Sequence, residues 1–436
     1  MPSTGDMGVE PTDAGSDLAS PLDMQEPRDM GPDRPDLPVV DAPTCEDGCP
    51  LGCSPTAPGE CATLAPSNVD ESEFVSGLPD LVIANNQVYR TTSCADSAVT
   101  EASLVPSNDP ERPGGQYCVL RVGSLTIEAG VSWTVYGDWP LIVLAEGPIV
   151  VDGTIDVAAH RETAGGGRSA AGPGGFRGAV PGVSCDACGP GRGADGTTLS
   201  VTEEAASSGG GGGSGCASGG AGGASGAVAG GAAGMRLPAA YAGTPLRGGS
   251  GGGIGGGAAP GDAGAGGGGL QLTSLTSVSV AGRILGGGGG GLDPSGAGSD
   301  DSAAGSGGGA GGVFLLEAPM VSVTGQLDVA GGGGSGGASG STAGNRGMDA
   351  FEVAIASPGS QPSGGLGAST SGSGGSGGFD MSAEGGVGTD AMAADSNGGG
   401  GGGGGGCVVV RGMDTSLGGA SLSPRSTTSV LPLLVE

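Results

Sequence analysis

Cysteine, histidine and aspartate are the residues of this chain whose types and spacing could do chemistry. Four of its ten cysteines crowd into "CEDGCPLGCSPTAPGEC", at Cys45, Cys49, Cys53 and Cys61. The intervals of three, three and seven residues contain no paired C-x-x-C knuckle and no neighbouring His. A disulfide knot among these four is therefore expected rather than a zinc site. Cys185-Asp-Ala-Cys188 is formally a C-x-x-C, but its flanks "PGVS" and "GPGRG" offer no helix N-terminus to lower a thiol pKa. A structural role is expected for that pair. Cys94 is expected to bridge to Cys118, while the partners of Cys185, Cys188, Cys216 and Cys407 are not assigned by spacing.

Other chemical readings are weaker. "GGVGTDAMA", Gly385 to Ala393, fits the calcium nonapeptide pattern, yet that pattern binds only when stacked copies share half-sites, and this copy is alone. G-x-G-x-x-G recurs by chance through the glycine tracts without a βαβ context. His160 is the single histidine and is expected to be a solvated loop residue. Asp156 and Asp328 share a repeat position that the middle copy fills with Leu285, and Asp152 is matched by Ala281 and Thr324, so no carboxylate pair recurs. No catalytic, metal or cofactor-binding residue is singled out, and no cofactor is expected.

The elements that would position such residues come from an internal repeat. "LIVLAEGPIVVDGTIDV" (Leu141 to Val157), "LQLTSLTSVSVAGRILG" (Leu270 to Gly286) and "VFLLEAPMVSVTGQLDV" (Val313 to Val329) align without a gap. Gly153, Gly282 and Gly325 fall in register. So do Ile149/Val151/Ile155, Val278/Val280/Ile284 and Val321/Val323/Leu327. Alternation on both sides of the glycine puts these side chains on one face of two short strands, with the glycine at a corner that needs positive φ or close backbone approach. "LTIEAGVSWTVYG" reads as a degenerate earlier copy and "CVVVRG" at Cys407 as a last half-copy. One unit cannot hide its apolar face alone. Stacked in parallel, several can, and a β-sandwich would not ask for the same corner glycine three times. The fold expected is all-β: a short parallel β-solenoid over residues 119–436. Val323 should point inward over Val151 and Val280, with Thr324 outward.

Glycine-rich tracts interrupt this array at 158–269, 286–312 and 330–406. Ordering each residue of them costs roughly 1–2 kcal/mol, and glycine returns no side-chain burial. They either stay loose or pack as extended chains that hydrogen-bond to one another. Ser335 is expected to be an exposed loop position where Asp costs under about 0.5 kcal/mol, and small apolar islands near Tyr241 and Phe351 are expected to dock the loops locally.

Composition bounds the rest. The chain has 436 residues, 105 of them Gly, and a net charge of −30; all 15 basic residues are Arg. Without a basic patch it offers no surface for nucleic acid or anionic lipid, and no stretch is apolar enough to span a membrane. Residues 1–44 hold ten acids, two arginines and eight prolines, the composition of a disordered tether, and 45–118 form a Cys-rich module. Oxidised cysteines require export, so a signal sequence trimmed from this chain or encoded upstream is expected, with an extracellular or outer-surface location.

The order "GCPLGC…CATLAPSNV", "LTIEAG…PLIVLAEGPIVVDGTIDV", "GGSGGGIGGG" and "GGAGGVFLLEAPMVSVTGQLDVAGGGG" resembles the glycine-rich secreted or lipoprotein-like β-solenoid proteins of myxobacteria and related bacteria, from about Cys45 onward. The resemblance implies localisation and fold but no reaction. The function expected is that of a non-enzymatic, structural or adhesive surface or matrix protein. Its expected partners are envelope or extracellular polysaccharide, or further copies of itself. The alternative is carbohydrate binding or polysaccharide cleavage along the solenoid face.

Overall fold

The computed structural model describes residues 51, 60–95, 101–110, 112, 114–161, 169–198, 207–237, 243–294, 303–393 and 396–434. The expected tether at 1–44 and the pairings of Cys45, Cys49 and Cys53 lie outside them; Cys61 is disulfide-bonded.

The chain is all-β, and most strands of the described residues gather into three parallel-rich sheets that do not close into a barrel, beside a two-stranded antiparallel pair, His160–Arg161 with Ser169–Ala170. Each repeat copy gives one strand to each sheet. The copy expected from Leu141 supplies Leu141–Ala145, Ile149–Val151 and Thr154–Asp156; the next supplies Gly269–Ser274, Ser277–Val280 and Arg283–Leu285. The third supplies Val313–Glu317, Met320–Val323 and Gln326–Asp328. Pairing between copies is parallel and in the register read from the sequence. Val278 sits between Ile149 and Val321, Val280 between Val151 and Val323, and Ile284 between Ile155 and Leu327.

The array is longer than the sequence reading. Gln116–Val122, Leu125–Ile127 and Ser132–Tyr136 form a full earlier copy, preceded by Leu81–Ile83 and Gln87–Arg90, which already pair in parallel with it. The paired strands thus begin upstream of residue 119, inside the segment read as a separate Cys-rich module. The "half-copy" at Cys407 is also complete. It adds Cys407–Arg411, Asp414–Ser416 and Ser421–Ser423, one strand per sheet, followed by Thr428–Leu431. Its last two strands are short and polar, so their alternation was too weak to read.

Side chains on the inner faces make one continuous core, with Ile127, Val151, Val280 and Val323 all buried and each fully buried aliphatic worth about 1.5–3 kcal/mol. Thr324 is exposed, as its register requires. The corner glycines act by close approach rather than positive φ. A Cβ on Gly325 would lie 1.9 Å from the Gly282 carbonyl oxygen, and one on Gly282 the same distance from that of Gly153. Valine at Gly325 therefore meets backbone, a harsher conflict than dihedral strain alone.

The first strands of the copies are buried on both faces, and "LIVLA" is apolar throughout for that reason. Tyr117, Val119, Ile142, Leu144, Val313, Leu315 and Val409 form a second core on the outer face of the seven-stranded sheet, covered by Leu246, Val69 and Phe74.

Where they are described, the glycine tracts pack against one another, and most of their glycines are buried. The tract 398–406 shows how. The N–H groups of Gly398, Gly401 and Gly404 donate to Ser207, Gly210 and Gly213. Those of Gly399, Gly402 and Gly405 donate to Thr389, Gly386 and Ala383, and those of Gly400, Gly403 and Gly406 to Ser335, Gly332 and Val329. In return its carbonyls accept from Gly305, Gly308 and Gly311, from Gly223, Gly220 and Ala217, and from Gly375 and Gly378. Residues three apart always share a neighbour, the periodicity of a polyproline-II-type chain, which makes no internal hydrogen bonds and must find partners outside itself. Six surrounding tracts supply them. The loose-loop expectation fails with this result: Ser335 is 0% exposed, and its hydroxyl accepts from the Ser306 N–H at 2.8 Å. The island at Phe351 forms a short helix, Ala350–Ala356, that buries Val353 and Ala354.

Disulfides tie these layers together. Cys94 pairs with Cys118 as expected, Cys185 with Cys188, and Cys216 with Cys407 across 191 residues. The last pair joins a glycine tract to the first strand of the final copy. Replacing both Cys216 and Cys407 with Ser should lower stability by about 2–4 kcal/mol, through the freed loop in the unfolded chain. A urea titration without reductant reads it, and an unchanged midpoint would contradict the linkage.

Candidate functional site

The residues flagged by the sequence are scattered and structurally committed. His160 is half-buried rather than solvated. Its Nε2 lies 2.8 Å from Asp156 Oδ2, and its ring meets Phe351 edge-on at 4.4 Å between centroids. Burial opposes its charge, but the hydrogen bond and charge of Asp156, helped by Asp349, prevail and hold its pKa above the usual value. Gly385 to Ala393 is a lattice tract: Gly385, Gly388 and Ala391 donate to Ser218, Ala221 and Ala224, and Asp390 Oδ1 accepts from the Ala224 N–H at 2.7 Å. Asp390 thus serves a backbone amide. Asp152 is exposed at a corner, as are Ala281 and Thr324.

Asp156 and Asp328 do occupy matched positions, each paired in register with Leu285. Both are buried, and each accepts from the backbone N–H two residues on, Ala158 and Ala330, where the strand gives way to a glycine tract. Burial lifts the Asp328 carboxyl from 3.8 to about 6, opposed by its hydrogen bonds from Ala330 and Gln326. The folded chain therefore holds this proton through a range where the unfolded chain has lost it. Stability from this group is present below pH 4 and is lost as pH rises to about 6. Asp328→Asn keeps the acceptor for Ala330 and removes the titration. Its stability should gain on the parent by up to about 1.4 kcal/mol per pH unit across that window and level off above it. Parallel urea melts from pH 4 to 8 check this, and a pH-independent difference would contradict it.

The densest polar cluster lies where the sequence raised no flag, on the outer face of the seven-stranded sheet. Gln271 and Thr273 project from one strand and Glu317 from its neighbour, all at 1% exposure or less. Gln271 Nε2 donates to Thr273 Oγ1 and to Glu317 Oε2, and Thr273 Oγ1 donates to Glu317 Oε2, each at 2.9 Å. The segment Ser67–Asn68 closes the cluster from outside. Ser67 donates to Glu317 through its hydroxyl and its N–H, and Asn68 Nδ2 donates to Gln271 Oε1 at 2.9 Å and to the Gly243 carbonyl at 2.6 Å. Asn68 Oδ1 accepts from the Leu246 N–H at 2.9 Å and the Tyr117 hydroxyl at 3.5 Å. Burial drives the Glu317 carboxyl above its usual pKa, against the hydrogen bonds from Ser67 and Thr273 and the charge of Arg411, whose Nε lies 3.7 Å away. The alternation of Gln271 and Thr273 in "GLQLTS" and the Glu317 that ends "VFLLE" were the available signal.

Nearby, Arg247 and Asp109 form a buried ion pair, and Arg112 lies over the rings of Trp139 and Phe176 at 5.2 and 5.1 Å. A cavity of about 330 Å³ opens beside Arg236, Leu237 and Arg247 against Val409 and Leu431. Among the described residues no group of three or more His, Cys, Asp or Glu could hold a metal, and no helix is long and apolar enough to cross a membrane. The disulfides fit a compartment outside the reducing cytoplasm. The chain matches no protein-family model, no curated protein and no solved structure.

Proposed function

We propose that this protein is an exported, non-enzymatic structural or adhesive element of a bacterial surface or matrix. In this reading a parallel β-solenoid carries a lattice of glycine chains along its side, in keeping with the resemblance to myxobacterial glycine-rich proteins. The observation that carries it is the use of tract 398–406. Every N–H in it donates to another tract, so the backbone of these glycines is spent on making a rigid body. Polar side chains follow the same economy: buried Asp156 and Asp328, half-buried Asn68 and exposed Asp390 each accept from a backbone N–H. Such a body suits a spacer or adhesive particle that must survive outside the cell.

Fractionation of the native cells with an antibody to the chain tests the location. The protein is expected in the envelope or extracellular matrix. Recovery from the cytosol with reduced thiols overturns the reading. Incubation of the purified protein with envelope polysaccharides tests the role: binding or self-association without shortening of the glycan is expected, and depolymerisation makes it an enzyme.

A further inference from the structure

The cluster beneath Ser67–Asn68 holds the parts of an acyl-transfer reaction, arranged around one carboxamide. We propose that Thr273 and Gln271 become joined by an intramolecular ester, formed by attack of the Thr273 hydroxyl on the Gln271 side-chain carbonyl with Glu317 as proton shuttle. Each role rests on a contact. Thr273 Oγ1 is the nucleophile, 2.9 Å from Gln271 Nε2 and 2.9 Å from Glu317 Oε2, the oxygen that takes its proton. The same Glu317 oxygen lies 2.9 Å from Gln271 Nε2, so it can pass that proton to the leaving nitrogen. Asn68 Nδ2, 2.9 Å from Gln271 Oε1, is placed to steady the negative charge that develops on the carbonyl oxygen. The Oγ1–Cδ bond forms, the Cδ–Nε2 bond breaks, and ammonia leaves with the transferred proton. No oxidant, metal or cofactor is required.

Two further facts suit this chemistry. Gln271, Thr273 and Glu317 are 0, 0 and 1% exposed, so water does not compete for the acyl carbon. The chain has no lysine, so an amine-derived cross-link is closed to it and a hydroxyl is the nucleophile at hand. Burial also keeps the Glu317 carboxyl above its ordinary pKa, which suits a group that must both accept and donate a proton. The product fixes the sheet surface on which Ser67 and Asn68 rest.

Mass spectrometry of the full-length, reduced and denatured protein tests the proposal. A loss of about 17 Da, one ammonia per chain, is expected, carried by the peptide that spans residues 271–273. Hydroxylamine should convert residue 271 to a hydroxamate and leave the chain uncut, whereas a cyclic imide with the following backbone nitrogen would be cut there. Thr273→Ser should retain the modification and Thr273→Val abolish it. Glu317→Gln should leave Gln271 intact in protein whose Cys94–Cys118 bridge still forms. An unmodified Gln271 side chain in natively folded, aged protein overturns it.

Discussion

Alanine at Gly402 should cost at least about 3 kcal/mol and leave much of the protein unfolded at ambient temperature. The added Cβ would lie 1.9 Å from the Ser376 carbonyl oxygen, and the obstacle is backbone, which cannot rotate away. Tract 398–406 cannot shift to make room, because six neighbours hold it through hydrogen bonds. The sign is informative. In a loose loop, Gly→Ala would stabilise by about 0.4–1 kcal/mol by restricting the unfolded chain. Ala221→Ser is the matched control. Ala221 stands in an adjoining tract at a half-buried position, and its replacement should change stability by less than about 0.5 kcal/mol. Denaturant midpoints of the two variants would show a large gap, and equal midpoints would mean that the tracts do not pack as described.

Val323→Asp should be as damaging for a different reason. Val323 is 0% exposed, paired in register with Val280, which itself pairs with Val151. A carboxylate there enters the continuous apolar core, and burying it, or protonating it to avoid the charge, costs several kcal/mol. Thr324→Asp, one residue on and exposed, should stay within about 0.5 kcal/mol of the parent. Comparable losses at both positions would break the alternation on which the paired register depends. Ser335→Asp now belongs with the damaging class, since the site is buried in the lattice.

How legible this was depended on the range of the interactions. The triplets around Gly153, Gly282 and Gly325 could be read because each strand pattern is local and the pairing of copies only repeats it. The disulfide of Cys94 with Cys118 was within reach for the same reason. The lattice was not, because a run such as 398–406 has no side chain to reveal a period. Its signal sat in the flanking tract "SGGAGGA", where Ser218, Ala221 and Ala224 mark every third position and are the half-buried ones. The Ser67–Glu317 and Asn68–Gln271 contacts join residues 250 and 203 positions apart, and no spacing announces them. His160 was misjudged because its partner Phe351 sits on a helix that packs against it from a distant tract.

The central claim is that glycine runs such as 398–406, which have no side chains to bury, form as firm a structure as the strands. Native-state hydrogen exchange on residues 398–406, compared with the strand residues 408–410, tests it most directly. The account predicts that the tract amides exchange as slowly as those of the strand and are released in the same unfolding event. Exchange of the tract at the rate of an open chain, while the strand stays protected, would contradict it.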